Sequence, residues 1–117
     1  MAFYETKETH RKEALRTRYY HGSYEEVKNA VLRVALDFGF QVTDVNDTHH
    51  EILLDGSSSI VVTITSASMY EQGVDFNVMT AYAFDFGSGK RLITKLYTAL
   101  GKYVRLKGVS LHPWLEK

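Results

Sequence analysis

Two adjacent histidines, His49 and His50, stand between Asp47 and Glu51 in the stretch DVNDTHHEILLDG, from Asp44 to Gly56. Imidazoles and carboxylates are ligands for divalent metal ions, so these four side chains form a candidate metal site. A metal needs ligands that converge, as two histidines do one turn apart on a helix. Neighbours on a strand point to opposite faces, so only one of this pair can join a carboxylate. Asn46 and Asp47 also favour a turn, because their side chains bond the local backbone. The stretch reads first as a turn between two strands, with the metal site as the alternative.

A second candidate lies in FDFGSGKR. A Gly-Ser-Gly turn opening a basic helix offers free amides and the positive end of the helix dipole to an anion. Ser88, Gly89, Lys90, Arg91 and Lys95 are the residues that would hold it. A phosphate-binding loop of the nucleotide-hydrolase type is excluded. Phe84 stands where its first glycine is required, and Arg91 where Ser or Thr is required. The ordinary alternative is a loop and a helix cap. Basic residues continue through Lys102 and Arg105, which is charge that a nucleic-acid backbone can use.

Cysteine chemistry is absent, since the chain of 117 residues has no Cys. That removes disulfides, thiolate zinc sites and a cysteine nucleophile. The serine-rich DGSSS stretch has no histidine that spacing can assign to it, so no acyl-transfer triad is legible. No catalytic residue and no cofactor is therefore assigned. The formal net charge is +0, yet residues 23–86 sum to −8 and residues 87–117 to +6. Nucleic acid would meet the acidic part as well as the basic part, and a basic helix lying on an acidic sheet explains the split equally well. The N-terminal stretch is charged and lacks an apolar centre, so no signal peptide is expected. No run is long and apolar enough to span a bilayer. These features together fit a cytoplasmic location.

The elements that must position these residues follow from periodicity. Residues 1–12 are polar and expected to fray, leaving one domain over 13–117. Alternation from Leu15 to Tyr20 predicts a strand, with Leu15, Thr17 and Tyr19 on one side and Arg16, Arg18 and Tyr20 on the other. Ser23 and Glu26 form a capping-box pattern. Val27, Val31, Val34 and Phe38 then make one apolar helical stripe, which Gly39 stops. Four further strands are predicted at FQVTDV, EILLD, SIVVTITS and VDFNVMTAYAFDF, separated by turn-forming residues. A second helix is predicted from GSGK, capped by Ser88, with a stripe from Leu92 to Val104 and Gly101 inside it. The result is an α+β fold of order β-α-β-β-β-β-α. It is a five-stranded, mainly antiparallel sheet in spatial order 1-5-4-3-2, with both helices on one face.

The stretch YYHGSYEEVKNAVLRVALDFGFQVTDVNDTHHEILL resembles small bacterial domains of unknown function with a TATA-binding-protein-like topology. The resemblance covers residues 18 to about 107 and rests on the aromatic strand, the capped helix and the Gly39-Phe40 pair. It implies a fold and no activity, and no family site residue transfers.

With both helices on one side, the other sheet face is left open. Arg18, Tyr20, Val61, Thr63, Met79 and Ala81 are placed on it, a semi-apolar mixture of the kind that marks an interface. The function expected is that of a small interaction domain, non-catalytic and self-associating as a homodimer through this face. The alternatives are an anion or nucleic-acid binder using the basic helix, and a metal-dependent protein using the His49-His50 loop.

Overall fold

The computed structural model describes residues 2–80 and 87–109. Its strands are β1 (Ala2–Glu5), β2 (Arg18–His21), β3 (Gln41–Asn46), β4 (Glu51–Asp55), β5 (Ser58–Ser68), β6 (Glu71–Thr80) and β7 (Leu106–Val109). Its helices are α1 (Tyr24–Asp37) and α2 (Ser88–Leu100), and a 3-10 turn spans Glu13–Leu15. Ala81, the end of the predicted fifth strand and the Trp114-Leu115 pair lie outside the described residues.

The strands form one seven-stranded sheet in the order β3-β4-β5-β6-β2-β7, with β1 also paired to β6. Every pairing is antiparallel. The five anticipated strands keep their anticipated spatial order, and β1 and β7 are additions to it. β1 overturns the frayed N-terminus. Its Tyr4 and Glu5 pair with Val78 and Asn77, and the Thr6 amide donates to the Phe76 carbonyl at 2.9 Å. One edge of β6 thus serves β2 over Val74–Glu71 and β1 over Asn77–Thr80.

α1 starts as its sequence dictates. The Ser23 side chain accepts from the Glu26 amide, and the Glu26 side chain accepts from the Ser23 amide. Val27, Ala30, Val31, Val34 and Ala35 are its buried face, and Gly39 at φ 77° turns the chain out of the helix. α2 differs from expectation at both ends. Gly87, at φ 80°, is the residue that caps it, and Ser88 is its first helical residue. The helix stops at Leu100, so Gly101 lies at its C-terminal cap, and Lys102, Arg105 and Lys107 are not helical.

Both helices bury their stripes against the same sheet face. Ile52 and Leu54, Ile60, Val62 and Ile64, and Val74, Phe76 and Val78 form one core with Val31, Val34, Ile93, Leu96 and Leu100. Among the described residues no helix is long and apolar enough to cross a membrane.

Candidate functional site

The His49-His50 stretch is a hairpin turn between β3 and β4. The Asn46 side chain accepts from the His49 amide at 3.0 Å, a side-chain-closed turn of the sort asparagine favours. Asp47 is committed to α1, accepting from the Tyr24 hydroxyl at 2.8 Å and from Lys28 Nζ at 3.1 Å. The Tyr24 hydroxyl, followed by Lys28, holds the Asp47 carboxyl below its ordinary range. Burial first and Asp47 second push Tyr24 up to about 12. His50 adopts a positive φ of 55° and stacks on Tyr24 with ring centroids 4.1 Å apart. His49 is exposed, and Glu51 pairs with Thr63 inside the sheet. Among the described residues, no three His, Asp or Glu side chains are grouped to hold a metal ion. The turn therefore docks the β3–β4 hairpin on the first turns of α1.

The residues of the anion reading divide between two surroundings. Lys90, Arg91 and Lys95 line one groove of about 500 Å³ with Gly87 and Thr94. Gly89 is buried instead against β1, where an added Cβ would run into the Tyr4 ring. Close packing of the helix on β1, and not approach to a ligand, is what this glycine serves. Ser88 makes no side-chain cap.

On the sheet, the strand registers fix which side chains share the uncovered face. Phe3, Met79, Ser59 and Asp55 form one row, and Glu5, Asn77, Val61 and Leu53 the next. Asp75, Thr63 and Glu51 form a third, and Tyr19, Gly73 and Thr65 a fourth. Val61, Thr63 and Met79 stand on this face as expected. Arg18 and Tyr20 do not. Arg18 pairs with Val74 and its guanidinium lies 4.7 Å from the centre of the Tyr97 ring. Tyr20 is fully buried and donates its hydroxyl to the Tyr97 carbonyl at 3.1 Å. The cause is the 3-10 turn at Glu13–Leu15, which interrupts the alternation and resets its phase before Arg18. Tyr19 takes the open side, its ring over Gly73, where an added Cβ would be 2.8 Å away.

This face has two distinct halves. One end is covered by Tyr19 and the loop of residues 6–17, and the Tyr19 hydroxyl donates to Glu8 at 2.8 Å. The other end is bare among the described residues. Phe3 is 58% exposed, Met79 42% and Leu53 37%. With Val61, Thr43 and Asn77 they line a groove of about 430 Å³. Asp55 lines it as well, and the strand registers set Glu5, Asp44 and Glu51 on the same face. A larger groove of about 700 Å³ runs along the outer side of α1, but it is crossed by internal contacts, with Tyr103 donating to Asp37 and Arg33 lying over the Tyr103 ring.

At the border between the two halves, Asp75 faces the gap between β1 and β2. Its Oδ1 accepts from the Thr6 hydroxyl at 2.6 Å and the Thr17 hydroxyl at 2.7 Å. Thr6 Oγ1 in turn accepts from the Phe76 amide at 2.9 Å and lies 3.1 Å from the Tyr97 hydroxyl, whose proton it shares with the Val74 carbonyl at 2.7 Å. A polar chain thus crosses the sheet from α2 to the open face. Burial raises the Asp75 carboxyl above its ordinary range, and the two hydroxyls only partly oppose that.

Phe3 and Leu53 are the surface residues that sequence reasoning missed. Phe3 lay in the segment assigned to fray, although its alternation with Tyr4 was a faint strand signal. Leu53 lay on the polar side of a strand read by its buried side, Ile52 and Leu54. No protein-family model matches the chain, and no match is found among the curated proteins.

Proposed function

We propose that this chain is a small, non-catalytic interaction domain whose working surface is the open sheet face, and that its partner is a second copy of itself. The observation that carries the reading is the contiguous apolar surface of Phe3, Leu53, Val61 and Met79, drawn from four strands and left uncovered among the described residues. Exposed apolar residues scattered singly are ordinary, whereas a concave, contiguous group rimmed by charge is the anatomy of an interface. The rigid sheet beneath it is continuous with the core, so the face is formed before any partner arrives.

Sedimentation velocity over a wide concentration range tests this. The sedimentation coefficient is expected to rise with concentration in the unaltered protein. Val61→Lys and Met79→Lys are expected to suppress that rise while leaving the far-UV circular dichroism unchanged. A monodisperse monomer at every concentration would overturn the proposal.

A further inference from the structure

We propose that copies associate head to tail, the open face of one receiving the α2 face of the next; this rests on the open-face reading above and specifies its geometry. Symmetric pairing of two open faces would set Glu5, Asp44, Glu51 and Asp55 against the same four carboxylates. The strands that carry them, β1, β3 and β4, and their neighbours β5 and β6 contain no Lys or Arg, and the bases of this face, Lys7, Arg11, Lys12 and Arg16, belong to the loop over its opposite end. Like charges placed opposite one another disfavour a partner strongly.

The complementary surface lies on the far side of the same molecule. α2 covers the inner face of the sheet, and Arg91 and Lys95 are exposed on its outer side, with Lys90 half-buried beside them. From Gly87 to Val109 the chain contains no Asp or Glu. The aliphatic stems of Lys90 and Lys95 can lie on Met79 and Leu53 while their ammonium groups reach the carboxylate rim. The two faces differ, so the interface is heterologous. Repeating it builds a ring or an open-ended row in place of a closed symmetric pair.

The salt response separates the two geometries in the unaltered protein. Acid-on-base contact is weakened by added sodium chloride, whereas acid-on-acid contact is strengthened by it. Two variants then isolate the faces. Met79→Lys blocks the open face, and Lys90→Glu with Lys95→Glu blocks the α2 face. Each is expected to weaken its own self-association by about tenfold or more. Mixed in equal amounts, the two retain one live face each and are expected to form a one-to-one heterodimer that grows no further.

Self-association of the α2 variant at unaltered strength would overturn the head-to-tail geometry and leave the open face standing. Self-association of Met79→Lys at unaltered strength, or a unaltered protein that never associates, would overturn both. Should the charge reversal unfold α2, Lys90→Gln with Lys95→Gln tests the same direction with a smaller loss.

Discussion

Asp75 is the residue whose surroundings set the sharpest expectation. Its carboxylate accepts two hydroxyls at a part-buried position, so its acceptor role and its charge can be separated. Asp75→Asn keeps an oxygen for Thr6 and Thr17 and removes the desolvated charge. At neutral pH it is expected to match or exceed the unaltered protein in thermal stability. Asp75→Ala leaves both hydroxyls without their acceptor and is expected to cost about 1–3 kcal/mol. The pH dependence has a definite sign. Because the native carboxyl is raised above 3.8, its proton stabilises the fold fully below that value. This contribution is lost as pH rises through the raised native value. The stability of the unaltered protein relative to Asp75→Asn is therefore expected to improve on acidification. A neutral-pH loss in Asp75→Asn as large as in Asp75→Ala would show that the charge itself is required.

Two glycines give a paired test at the same scale. Helix propensity alone favours Ala over Gly by about 1 kcal/mol. At Gly89 the Tyr4 ring leaves no room for a Cβ, so Gly89→Ala is expected to lower the melting temperature. At Gly101, φ is −64° and the nearest atom to an added Cβ is 3.4 Å away. Gly101→Ala is expected to be neutral or mildly stabilising. Equal effects of the two substitutions in a thermal melt would contradict the packing described at β1.

Among the elements, α1 was the most legible, because a reciprocal cap, a regular apolar stripe and a left-handed stop all agree locally. Ser23→Ala is expected to cost about 1 kcal/mol by denaturant unfolding, and an unchanged midpoint would contradict the cap. The acidic hairpin turn was legible as a turn. Its docking on Tyr24 and Lys28 was not, since those partners are distant in sequence. The termini of the sheet were missed for a related reason. β1 and β7 each have four residues, too few to establish a period, and their stability comes from pairing with β6 and β2. The inverted phase of β2 and the early end of α2 are local events, a 3-10 turn and a glycine at the cap, that a continuous periodicity cannot register.

For the whole molecule, strand order was legible because short turns force neighbours to pair and a helix carries the long crossing from β2 to β3. The open face was legible in its centre, at Val61, Thr63 and Met79, through clean alternation on β5 and β6. Its bare apolar end was not, since Phe3 and Leu53 join it only through the register of β1 and β4. Charge separation along the chain becomes separation in space only in part: Glu5, Asp44, Glu51 and Asp55 stand on the open face and Lys90, Arg91 and Lys95 on α2, while α1, beside α2, carries Glu25, Glu26 and Asp37. The surface itself is most directly tested by a dilution series of amide and methyl NMR spectra of the unaltered protein. Concentration-dependent shifts are expected, centred on Phe3, Leu53, Val61 and Met79, with a second set on Lys90 to Lys95. Spectra that do not change with concentration, or shifts confined to the outer side of α1, would contradict it.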